Sequence, residues 1–144
     1  MKNKKEVVDC LNTILECELA GVVRYMHYSL MVFGHNRIPI VKWLRQQADE
    51  SLNHAGTAGE HITTLGEHPS LKIGRLTETH KHSISDILLE SLEHEREQLK
   101  NLHRLLELVE SESVYLEEYA RAMICEEEAH VAEVEKMMRT QPKS

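Results

Sequence analysis

GEHPSLKIGRLTETHKH, residues 66–82, separates two stretches of helical apolar periodicity and is seventeen residues long. Extended at roughly 3.3 Å per residue, it can run the full length of a bundle of ~40 Å helices. A third helix that follows it then starts at the end where the second began, and the two run parallel. An up-down bundle with a loose loop at 66–82 is the alternative.

Working outward, apolar residues recur at spacings of three and four in four segments, and the glycines and prolines read as punctuation between them. The first segment spans about 5–33, with Leu11, Ile14, Leu15, Val22, Tyr25, Ser29 and Val32 on one stripe and FGHN as its stop. The second spans about 38–66, with Pro39 in its first turn and Val41, Leu44, Ala48, Leu52, Ala55, Ile62 and Leu65 in line before Gly66. A third, about 83–110, aligns Ile84, Ile87, Leu88, Leu92, Leu99, Leu102 and Leu106. A fourth, about 113–139, aligns Leu116, Ala120, Met123, Val131 and Val134, and Pro142 bars its continuation. The links within each half are a few residues long and so make antiparallel pairs. The expected fold is all-α: residues 1–144 as one four-helix domain with a long crossover between its second and third helices.

Composition agrees. Aromatics are 4% of the chain and helix-favouring residues dominate, which makes an all-β domain improbable. Twenty-four acids against seventeen Lys and Arg give a net charge of -7, which argues against nucleic acid as a partner and towards small cations. No apolar run approaches the roughly 20 residues of a membrane span and the start has no apolar stretch of signal-peptide type, so a cytoplasmic protein is expected. Cys10, Cys17 and Cys125 have no Cys-x-x-Cys spacing and read as buried, reduced thiols.

Three stripes carry a residue that does not belong in a core. Glu18 lies in line with Leu11, Val22 and Tyr25; Glu95 with Leu88, Leu92 and Leu99; Glu127 with Ala120, Met123 and Val131. Burying one unpaired carboxylate costs several kcal/mol, and three together need cations or protons to neutralise them. His130 follows Glu127 by three residues, so both face one point, and His54 sits beside the stripe of the second segment. A box of four carboxylates and two histidines is the recurrent di-metal arrangement of helix bundles. Here it is incomplete: position 51, the fourth carboxylate's place, is Ser51, and Glu50 stands one residue early.

LNTILECELAGVVRYMHYSLM (11–31), with Glu18 and Tyr25, resembles the first helix of bacterioferritin, and EEEAH (126–130) resembles that family's closing Glu-x-x-His. The resemblance covers all four helices. It implies a ferritin-like bundle with a di-iron ferroxidase centre, and metal roles for Glu18, His54, Glu95, Glu127 and His130, with Glu95 placed by aligning LKNL at 99–102. Tyr25 would donate a hydrogen bond to a ligating carboxylate. Three departures accompany it. Ser51 replaces a family Glu that bridges the irons, leaving a site that recruits Glu50, holds one metal or is vestigial. Leu52 stands where the family's haem-ligating methionine would fall, so no haem of that kind is expected. The chain stops shortly after the fourth segment, without the family's short fifth helix, so a dimer or other small homo-oligomer is expected at least as much as a hollow cage.

Two functions follow from these readings. One is a ferroxidase that binds iron, with manganese or zinc as other occupants, and oxidises ferrous iron with oxygen or peroxide. The other is a metal carrier or sensor without turnover. Glu93, Glu126 and Glu128 point off their stripes and are expected at the surface, and most of His27, His35, His61, His68, His94 and His103 are expected to be solvated. His80 and His82 are a candidate surface metal pair.

Overall fold

The computed structural model describes residues 1–139 as four helices: α1 (Lys4–Met31), α2 (Arg37–Thr64), α3 (Ile84–Val109) and α4 (Val114–Met138). Their ends lie within two residues of the boundaries read from the sequence, except that the expectation for Pro142 falls outside the described residues. Local chemistry sets those ends. Ser83 and Ser113 accept hydrogen bonds from the amides of Asp86 and Leu116, which caps the free N–H groups that open α3 and α4. At the end of α2, Gly66 adopts φ 82°. The Glu67 amide donates to the Ile62 carbonyl at 3.2 Å and the Gly66 amide to Thr63 at 2.9 Å, a Schellman closure that favours glycine. Gly34, at φ 102°, plays a similar part in the turn between α1 and α2. Gly21, Gly56 and Gly59 are not punctuation: they lie inside helices.

The crossover runs beside α1 in the same direction. Ser70 donates its amide to Asn12 Oδ1 at 2.7 Å, the Gly74 amide reaches the Glu16 carbonyl at 2.8 Å, and Arg24 donates to the Arg75 carbonyl at 3.2 Å. Contacts that advance from residue 12 to 24 on α1 as the crossover advances from 70 to 75 return the chain to the end where α2 began. The third helix is therefore parallel to the second, and the up-down alternative is excluded.

Gly74 is the tightest point of this docking. A Cβ there would lie 2.9 Å from the Glu16 carbonyl oxygen and 3.3 Å from Ala20 Cβ. The obstacle is helix backbone, which cannot rotate away. Gly74→Ala is expected to cost about 1–3 kcal/mol in denaturant unfolding and to open residues 66–82 to proteolysis; unchanged stability and cleavage would mean that the crossover is not docked at Glu16.

The core divides into two apolar zones. One holds Val7, Leu11, Ile14, Ala58, Ile62, Leu102, Leu105 and Leu116; the other, towards the opposite end, holds Tyr28, Val41, Leu44, Ile87, Leu88, Leu92 and Val134. Between them lies a layer of buried polar side chains that includes Glu18, Ser51, Ser91, Glu95, Gln98 and Glu127. One expectation for α2 is overturned here. Leu52 is 55% exposed, and the helix instead turns Ala48, Ser51, Ala55 and Ala58 inward. The reason is the close approach of α1 and α2: a Cβ on Gly21 would meet Ser51 Oγ at 2.8 Å, so only small side chains fit along this seam.

Candidate metal centre

Each carboxylate expected in the core is there. Glu18, Glu95 and Glu127 are 2%, 5% and 4% exposed, on α1, α3 and α4 respectively. Glu18, His54 and Glu127 converge, with one ligand atom from each lying within 4.8 Å of the others. His54 Nδ1 is 3.0 Å from Glu18 Oε2, and its Nε2 is 3.2 Å from Glu126 Oε2. The hydrogen bond to Glu18 raises the His54 imidazole above its ordinary value against the opposing effect of burial. Burial raises the Glu18 carboxyl in turn, and the bond to His54 moderates that rise.

The other half of the centre is organised by Tyr25. Its hydroxyl donates to Glu95 Oε1 at 2.5 Å and lies 2.8 Å from Ser91 Oγ, which is left to donate to the phenol oxygen. His130 Nε2 is 3.4 Å from the same hydroxyl and 3.8 Å from Glu95 Oε1. The His130 ring is stacked on Trp43, at 5.9 Å between centroids and 2° between planes. Gln98, fully buried, donates to the Ile14 carbonyl at 3.0 Å and closes the layer below.

Glu95 and Glu127 face each other and interact as a pair. Desolvation pushes the Glu127 carboxyl up to about 11, with the neighbouring Glu95, Glu18 and Glu126 charges adding to it. Desolvation also acts on Glu95, but the hydrogen bond from Glu127, the His130 and His94 rings and Tyr25 outweigh it and hold that carboxyl low. The two buried carboxyls thus share one proton as a pair. Even so, Glu127 Oε2 is buried without a hydrogen-bond partner. An orphaned carboxylate oxygen beside Glu18 and His54 is the chemistry of a cation site.

Some residues stand differently from the sequence reading. Glu50 is exposed on α2, at the mouth of a cavity of 740 Å³ that also borders Ser51, His54, Glu95, Glu127 and His130, and it is not among the converging group. Glu126 is exposed as expected yet touches His54. His94 is not solvated: its Nε2 lies 3.0 Å from the point where a Gly21 Cβ would be, and burial lowers its basicity. His61 is buried as well, against Tyr119. Cys10 and Cys17 are buried, but Cys125 is exposed. Ser91, Gln98 and Trp43 carry no chemical signal in the sequence beyond their helical register with Glu95 and Leu44.

Comparison with known proteins places the fold. A family description, ferritin-like domain, matches residues 8–143. None of the curated proteins matches the chain. Among solved structures, a ferritin-like, diiron-carboxylate protein from Bacillus anthracis str. Ames superposes with a TM-score of 0.90 at 22% identity, over 96% of this chain and 99% of that one. Rhodobacter capsulatus bacterioferritin, with a metal-free dinuclear site and haem iron, gives 0.83 at 22% identity, over 96% and 86%. Desulfovibrio desulfuricans bacterioferritin, whose diiron site was captured in different catalytic states, gives 0.85 at 19% identity, over 94% and 79%. At these identities the superpositions speak for the fold alone. The family match runs over nearly the whole bundle, and on that ground this chain belongs to the ferritin-like domain family.

Proposed function

We propose that this protein takes up ferrous iron at the buried carboxylate and histidine layer and oxidises it with oxygen or peroxide. The observation that carries the reading is the orphaned Glu127 Oε2, which converges with Glu18 and His54 inside the bundle. The donor set is oxygen and imidazole nitrogen, which suits iron, manganese or zinc. Glu18, His54 and Glu127 would hold one ion, and Glu95 and His130, with Glu127 shared, a second; bound iron supplies the electrons passed to the oxidant. The chain's own part is to exchange protons for cations. His54 gives up the proton it shares with Glu18, and Glu127 the one it shares with Glu95, so uptake releases protons. Tyr25 orients Glu95 throughout.

A specific observation favours a second reading, a carrier or sensor without turnover. Ser51, where the family resemblance implies a bridging carboxylate, is buried close to Gly21 and borders the cavity without a carboxylate to offer, while Glu50 is exposed. Leu52 is exposed and offers no iron ligand, so we expect no haem held through this position. Val23, Met26, Leu30 and Phe33 form an exposed apolar stripe on one end of the first hairpin, which supports a homo-oligomer, a dimer at least. No helix of the described residues is long and apolar enough to cross a membrane.

Anaerobic loading with ferrous iron, elemental analysis and then admission of oxygen separates the two readings. About two irons per chain, oxidised faster than in buffer, is the expected result for the di-metal arrangement. One metal or none, with oxidation no faster than in buffer, would leave the carrier or sensor reading.

A further inference from the structure

A second cluster of ligand atoms lies away from the bundle centre. His27 on α1 meets Glu78 and His82 on the crossover, and one ligand atom from each falls within 4.8 Å of the others. His27 Nε2 is 2.9 Å from Glu78 Oε2, and His82 Nε2 is 3.4 Å from Glu78 Oε1. His27 is nine residues from Glu18, two and a half helical turns along α1 and on its opposite face. The cluster is thus separate from the centre described above.

We propose that His27, Glu78 and His82 form a second site for a divalent transition cation, one that fastens the crossover to the end of α1.

Four observations support it. Both Nε2 atoms are buried and form no hydrogen bond, although a carboxylate stands within reach of each. The nitrogens therefore approach the oxygens without the alignment of an N–H···O bond. For bonds of about 2.0–2.2 Å to nitrogen and oxygen, neighbouring ligands lie about 2.9 Å apart around an octahedral ion and about 3.4 Å apart around a tetrahedral one. The two nitrogen-to-oxygen separations, 2.9 and 3.4 Å, lie within this range, as the ligands of a single distorted ion would.

The carboxylate is also held in place. The His80 amide donates to Glu78 Oε1 at 2.7 Å, and His80 adopts φ 58°, the left-handed conformation that a non-glycine residue takes up at a cost. That tight turn fixes Oε1 and leaves Oε2 facing His27. Among the described residues Glu78 pairs with no Lys or Arg. The nearby Arg24 is engaged by Tyr28 and the Arg75 carbonyl.

Finally, a cavity of 250 Å³ opens beside the cluster between Val23, Tyr28, Leu76 and Thr79, with room for water molecules to complete the coordination. Two imidazoles and one carboxylate with open positions suit zinc or ferrous iron. His80, which the sequence pairs with His82, contributes its backbone and not its ring.

The test is a Zn²⁺ titration of the full-length apo protein, read by calorimetry and by metal content after dialysis. His27→Ala, His82→Ala and Glu78→Gln are each expected to lose about one zinc per chain, or to weaken it by more than the 10–100-fold that loss of an outer-sphere partner costs. The His27→Ala/His82→Ala double variant should lose no more than either single one. Glu127→Gln should lose a different zinc, and the two losses should add. Zinc should protect residues 66–82 from proteolysis in the wild type and in Glu127→Gln but not in His82→Ala. Because His82 lies on the irregular crossover and packs into no apolar zone, the His82→Ala result stands even if His27→Ala proves unstable. Wild-type zinc content and affinity in His82→Ala would overturn the proposal, as would an equal loss in His80→Asn, which keeps a residue tolerant of the left-handed turn and would indicate unspecific imidazole binding.

Discussion

Glu127→Gln leaves the apo protein more stable than the wild type at pH 8, by about 1–4 kcal/mol, while metal bound in the bundle is lost. The amide has the shape of the protonated acid and can still donate to Glu95, but it has no proton to lose. In the wild type, burial and the Glu95 charge push the Glu127 carboxyl from 4.5 up to about 11. A group raised in the folded state binds its proton there when the unfolded chain has released it. Its contribution to stability is therefore complete below about pH 4.5 and declines as pH rises towards about 11. Glu18 and His54 are raised too, so each acts in the same direction as pH climbs above its ordinary value of 4.5 or 6.5. The wild-type apo protein should thus lose stability as pH rises from 5 to 9. The gap to Glu127→Gln should widen by up to about 1.4 kcal/mol per pH unit. Metal reverses the trend, because the ligands must be deprotonated to bind it. Denaturant unfolding at several pH values, with and without Zn²⁺, reads both effects. If Glu127→Gln unfolds more easily than the wild type at every pH, the carboxyl is a structural hydrogen-bonding group and the ligand assignment fails.

Much of this centre was legible in the sequence because charge in an apolar stripe is a strong contrast. Glu18, Glu95 and Glu127 each interrupt a run of Leu, Val and Met at the stripe's midline, and helical periodicity alone puts them inside. The crossover was legible as length: seventeen residues can span a bundle, and they do so beside α1. The face of α2 was not. Hydropathy turns Leu52 inward, whereas the structure turns Ser51 inward. What decides is the separation of two helix axes at Gly21, a quantity set by the partner helix and invisible in α2 itself. Pairings between helices were equally hidden. Glu126 meets His54 across seventy-two positions, and His27 meets Glu78 across fifty-one, with no local periodicity to mark either. Cys125 resembles Cys17 in its neighbourhood of glutamates, yet the two lie on opposite sides of the boundary between core and solvent.

Restoring the carboxylate at position 51 is expected to trade apo stability for metal capacity. Ser51 is 6% exposed on α2, one turn before His54, and borders the same cavity as Glu18's partners His54 and Glu127. Ser51→Glu would add a fourth buried carboxylate to three that already depend on hydrogen bonds from Tyr25 and His54 and between themselves. Without metal, the added group must stay protonated or repel its neighbours, a cost of about 2–4 kcal/mol at pH 8. The cavity of 740 Å³ offers room for the end of the longer side chain, while the tight seam with Gly21 adds a steric cost to the electrostatic one. With divalent cations the sign reverses, since a carboxylate between two ions neutralises both, and Zn²⁺ or Mn²⁺ should raise the melting temperature of Ser51→Glu more than that of the wild type. Metal content after dialysis should rise by about one ion per chain if the wild type holds a single ion there. Two ions per chain in both proteins would show that Glu18, Glu95, Glu127 and the two histidines suffice as they stand, and that position 51 tunes turnover rather than capacity. An apo Ser51→Glu as stable as the wild type, with unchanged metal content, would mean that position 51 does not face the carboxylate layer at all.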